Sequence, residues 1–139
     1  MNLDVGTTLP QKEPFRFIDE ILALNELERE ILCKKKYNYS EEFFKGHFPN
    51  NPIVPGVLLI ESMAQSGLLL MTNLGEPKIE IGYLVSIKKC SFHKIVKPNE
   101  ITFIKTKKTG EFNSFVTVKS IITDKKDKKI ASSILTLSI

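Results

Sequence analysis

Residues 55–73 read PGVLLIESMAQSGLLLMTN, and this stretch decides the fold. Proline suits the first position of a helix, and the run NLGEP at 73–77 stops one. The span predicts a helix about 28 Å long at ~1.5 Å per residue. It is apolar nearly all round, so it belongs inside a core. Glu61, Gln65 and the small residues argue against a membrane span.

Upstream lies a loop from Lys45 to Val54. Pro49, Pro52 and Pro55 stand within it and at its exit. Each proline fixes its own φ and biases the preceding residue to extended backbone, so the loop is stiff enough to hold a side chain in place. Further upstream, FRFIDEILAL (15–24) and REILCKKKYNY (29–39) read as strands around a polar turn at Asn25–Glu28, with Ile31, Cys33 and Tyr37 on one face. EEFF (41–44) predicts one helical turn. Downstream, alternation rich in Ile, Val, Phe and Thr predicts strands at about 79–92, 100–108, 112–122 and 130–138. TDKKDKK (123–129) is a polar hairpin tip. In the last strand Leu135, Leu137 and Ile139 face one way, Thr136 and Ser138 the other. One long buried helix among about six strands indicates an α+β fold, an antiparallel sheet wrapped around that helix.

With 139 residues and no internal repeat or linker, residues 1–139 form a single domain. Hydrophobic residues at 42% and charged residues at 26% exclude a disordered or collagen-like chain. Cys33 and Cys90 form neither a disulfide framework nor a CxxC pair, which fits a reducing compartment. Met1–Thr8 has no basic segment and no apolar run, so no signal peptide is expected. Residues 1–75 carry 7 basic and 10 acidic side chains, and residues 76–139 carry 13 and 6. The basic half suits an acidic partner such as nucleic acid, anionic lipid or an acidic carrier protein. Lysines decorating the solvent faces of strands are the simpler explanation.

Between Lys45 and Glu76 the one formally charged side chain is Glu61, on the buried helix. A carboxylate there is either paired, turned out at a helix edge, or raised in pKa by desolvation and fit for proton transfer. His47 sits in the stiff loop between Gly46 and Phe48, fourteen positions before Glu61. Alone it reads as a solvated loop histidine. Folded back beside the helix, it and Glu61 would form an acid–base pair in an apolar tunnel. Gly56 and Val57 open the helix, where free N–H groups and the positive dipole end suit a developing oxyanion, although every helix begins in this way. His93 lacks such a context and reads as structural or exposed. The sequence has no Walker loop, GxGxxG, GxSxG or zinc-spaced Cys/His cluster, and no aromatics interleaved with its lysines as in nucleic-acid platforms.

Taken together, Gly46–Gln65 reads GHFPNNPIVPGVLLIESMAQ. It resembles the signature of the β-hydroxyacyl-acyl-carrier-protein dehydratases of fatty acid synthesis, a hotdog-fold family. That signature is GHFP, two variable residues, P, one or two apolar residues, PGVL, two residues, E, and then AQ. LPQKEPFRFIDEI (9–21) is similar to the family's N-terminal strand, with Gln11 where a histidine is frequent. The stretch 83–100 matches more loosely, with Pro98-Asn99-Glu100 in place of a Pro-Gly-Asp turn.

The resemblance implies that His47 removes the C2 proton of a (3R)-3-hydroxyacyl thioester and that Glu61 protonates the departing C3 hydroxyl. It implies that the Gly56 N–H binds the thioester carbonyl, that Phe48 and Val57 line the substrate site, and that Tyr83 gates the acyl tunnel. It also implies a cytoplasmic enzyme working on acyl carrier protein, with no metal, and with no cofactor because the reaction is redox-neutral. It implies a homodimer or trimer of dimers, each site taking His47 and Glu61 from different protomers. Glutamate at 61 resembles the plain dehydratase branch; aspartate marks the isomerase branch. Two other readings stand beside this one. A hotdog acyl thioesterase would use Glu61 to activate water, and a non-catalytic acyl-binding module would keep only the tunnel.

Overall fold

The computed structural model describes residues 3–75 and 82–139. A short α1 (Val5–Thr8) is followed by β1 (Glu20–Asn25), β2 (Glu30–Lys36) and a 3-10 turn at Glu42–Lys45. Then come α2 (Gly56–Asn73), β3 (Tyr83–Phe92), β4 (Ile101–Phe112), β5 (Phe115–Thr123) and β6 (Lys129–Ser138). The six strands form one antiparallel sheet in the order β1-β2-β4-β5-β6-β3. The expected α+β architecture is present, with α2 lying on the sheet. Residues 79–81 of the strand expected at 79–92 lie outside the described residues.

Helix α2 is buried at every position from Ser62 to Met71, as its all-round apolarity predicts. One side packs on the sheet. Gly67 permits this approach, since a Cβ there would stand 2.7 Å from Leu137 Cδ1. The other side is covered by the N-terminal strap, whose Leu9, Phe17 and Ile18 are buried. Pro55 is the N-cap and not the first helical residue, with an extended ψ of 134°.

A chain of hydroxyls crosses the helix–sheet interface. Ser66 Oγ donates to Met63 O at 2.6 Å, so the Thr106 hydroxyl donates to Ser66 at 2.5 Å. Ser120 in turn donates to Thr106 at 2.7 Å. Each hydroxyl has one proton, which fixes these directions. All three side chains are fully buried.

Two boundaries differ from expectation. Residues 15–19 alternate like a strand, yet β1 begins only at Glu20. The backbone of Phe15 and Phe17 bonds instead to the side chains of Gln65 and Ser62 on α2. The β4–β5 turn lies at Asn113–Ser114 and not near Gly110. Asn113 supplies the positive φ (55°) that a tight hairpin needs, and Gly110 follows a bulge within β4.

Candidate active site

The proline loop is held at several points. Gly46 N and His47 N donate to Phe43 O, Ile53 N donates to His47 O at 2.9 Å, and Val54 N donates to Val96 O at 2.8 Å. Phe48 and Asn51 exchange backbone bonds across the tip. His47 is half-buried, and its ring stacks on the exposed Phe48 with centroids 4.2 Å apart. The His47–Phe48 peptide is cis.

His47 Nδ1 lies 3.1 Å from Ile53 O. A carbonyl oxygen only accepts, so Nδ1 carries the proton. In neutral imidazole that leaves Nε2 with its lone pair available as a base.

On α2, Pro55 provides no side-chain cap. The N–H groups of Gly56 and Val57 begin the helix as donors without intrahelical partners. Val57 projects outward and is 71% exposed. The Phe92 ring lies against Gly56: a Cβ at position 56 would stand 3.1 Å from two ring carbons. Phe92 was not singled out in the sequence, because its proximity depends on the end of β3 folding over the start of α2. Tyr83 is well exposed at the other end of β3.

Glu61 is half-buried, one and a half turns along the helix. Burial raises its pKa above the ordinary carboxylate value, and a hydrogen bond from Gln65 opposes that rise. Gln65 Nε2 donates to Glu61 Oε1 at 3.3 Å and to Phe15 O at 2.9 Å, while its Oε1 accepts from Phe17 N at 2.7 Å. Gln65 is thus the other site residue that sequence reasoning missed. The signal was its polarity at a fully buried helical position, one turn after Glu61.

Within one chain no hydrogen bond or ion pair joins His47 to Glu61. The partners of His47 are Ile53 O and the Phe48 ring, and that of Glu61 is the Gln65 amide.

Residues 9–133 match the family model described as the FabA-like domain. The chain belongs to that family. A 3-hydroxyacyl-[acyl-carrier-protein] dehydratase FabZ of Levilactobacillus brevis is 37% identical over 116 residues, covering 84% of this chain and 78% of its own. Other dehydratases of the same name are 37–40% identical over about 70% of this chain. Among solved structures, the dehydratase heterocomplex ApeI:P of Xenorhabdus doucetiae superposes with a TM-score of 0.82 at 14% identity, over 99% of this chain and 91% of that one. A hypothetical thioesterase of Streptococcus pneumoniae with coenzyme A has a TM-score of 0.65 at 17% identity, covering 86% and 83%. Both structures show the shared hotdog fold alone. The FabA-like relatives at higher identity are named as dehydratases.

Proposed function

We propose that this chain dehydrates (3R)-3-hydroxyacyl groups on acyl carrier protein to trans-2-enoyl groups, as a cytoplasmic member of the plain dehydratase branch. The observation that carries the reading is the His47 tautomer. Nε2 is free to take the C2 proton, which a thioester makes only weakly acidic. The C2–H electrons move toward the thioester carbonyl, and the Gly56 N–H at the positive end of α2 supports the charge that gathers on its oxygen. Those electrons then form the C2=C3 bond while the C3–O bond breaks. The hydroxyl leaves as water with the proton from Glu61, whose pKa burial raises toward that role. Proton exchange with water restores His47 and Glu61. No electrons are gained or lost, so the reaction requires no redox group.

The site is completed by a second copy of this chain. His47 and Glu61 share no hydrogen bond within one protomer, while β3 leaves Tyr83, Leu84, Val85 and Ile87 exposed along a sheet edge. Pairing of two β3 edges would bury them and bring each loop to the partner's α2. Phe48 and Val57, exposed in one chain, would then flank the bound acyl thioester, and Tyr83 would stand at the tunnel mouth. The excess of lysine in residues 76–139 suits an acidic carrier protein.

The test is turnover of a 3-hydroxyacyl thioester, followed as enoyl formation and as thiol release. Enoyl product without thiol is expected, with losses of about 10²–10⁴-fold in His47→Ala and in Glu61→Ala. Thiol release would establish the thioesterase reading. Full activity in both variants would remove the mechanism.

A further inference from the structure

The inward face of β2 carries Ile31 and Cys33, Tyr37 continues that face just past its end, and between Cys33 and Tyr37 it carries Lys35. An alternating strand calls for an apolar residue there. Lys35 is nonetheless only 4% exposed. Its Nζ donates to Asp19 Oδ1 at 3.1 Å and to Arg16 O at 3.5 Å, and it lies 5.9 and 5.4 Å from the ring centroids of Phe17 and Tyr37. The other oxygen of Asp19 accepts from Lys36 N at 2.8 Å. Lys35 is buried while Asp19 is 38% exposed, and ion pairs open to solvent at one end add little stability, so stability is a weak reason for this pair. Local rules broken in this way concentrate at functional sites.

The pair grips the strap at residues 16–19, the segment whose neighbouring backbone holds Gln65. Asp19 N–H also donates to Lys34 O, and Lys36 N to Asp19 Oδ2, so the stretch is tied to β2 chiefly through Asp19. Phe17 N presents a donor to Gln65 Oε1 and Phe15 O presents an acceptor to Nε2. That alternation sets which way the amide faces, and it leaves the second Nε2 proton for Glu61. A strap shifted by an ångström or two would let the amide flip and turn its oxygen on the carboxyl.

We infer that Lys35 and Asp19 form a positioning brace for the Glu61 carboxyl, acting through the strap backbone and the Gln65 amide, on the reading that Glu61 is the proton donor. Lys35 is a positioning residue and touches no reacting atom.

The experiment is a double-mutant cycle in the full chain, measuring kcat and KM on a soluble 3-hydroxyacyl thioester. Lys35→Met is expected to lower kcat about tenfold with KM within about twofold, since small misplacements of a proton donor fall on the chemical step. In a Gln65→Ala background the same change is expected to cost less than about twofold, because both act through one amide. Unchanged kcat in Lys35→Met would overturn the brace, as would losses that simply multiply in the double variant. If Lys35→Met does not fold, Asp19→Asn takes its place in the cycle with the same expectations. Glu61→Ala is measured alongside. Activity surviving that change removes the proposed function, whereas an inactive Glu61→Ala beside a fully active Lys35→Met removes only the brace.

Discussion

The sheet ends in two edges that are built in opposite ways. β1 is six residues long, and its ladder to β2 is broken by a bulge at Leu22. Short length and a bulge are ordinary protections against edge-to-edge pairing. β3 is ten residues long and exposes Tyr83, Leu84, Val85 and Ile87. A contiguous apolar edge of that kind marks a surface meant to be covered. One edge is closed to partners and the other is open, and the open one runs to Phe92 at the start of α2. On the proposed function, the open edge and the start of α2 would serve assembly and chemistry together.

The strongest way to break this contrast is to charge the open edge. Val85→Lys with Ile87→Lys is expected to leave a folded monomer in sedimentation and to lower turnover by about 10²–10⁴-fold, the cost of losing an acid–base partner. Lysine at Leu22 on the closed edge should change neither. A dimer that persists, or a monomer that turns over normally, would end the idea that β3 completes the site.

Gly56→Ala sharpens the contrast where β3 meets α2. The added Cβ must displace the Phe92 ring. A loss of kcat/KM of about tenfold is expected, short of the 10²–10³-fold for deleting an oxyanion donor, because the N–H remains. Unchanged kinetics would place Phe92 outside the substrate path.

The smallest effect concerns stability. The folded pKa of Glu61 lies above its unfolded value through burial, so its contribution is fully present below the unfolded pKa and is lost as pH rises through the folded one. Glu61→Gln is therefore expected to raise Tm slightly at neutral pH while abolishing turnover, the gain vanishing under acid conditions where the wild-type carboxyl is protonated. A lower Tm at neutral pH would mean the ionised carboxylate is well accommodated.

The helix, the proline loop and the hairpin tip were legible because each is dictated locally. Apolar periodicity, proline and glycine act over a few residues. The strap at 15–19 was not legible as a non-strand, since its alternation is real and its backbone partners are side chains of α2, about fifty positions later. The β4–β5 turn was expected between 108 and 112, because alternation alone does not show that β4 runs on past its bulge to Phe112. His47 and Glu61 were both readable as candidates from charge and loop stiffness. That they share no hydrogen bond within a protomer was not readable, because it depends on how the proline loop is tied to Phe43 and Val96.

A helix greasy on every side has no inherent reason to stop at one height or one angle on a sheet. The three hydroxyls of Ser66, Thr106 and Ser120 supply that reason, since all their protons are placed in only one seating. Sliding by a residue or rolling by a fraction of a turn would strand polar atoms in oil. This polar rung works as a detent, and it sets the elevation at which the acid, five residues nearer the helix start, looks out of the protein.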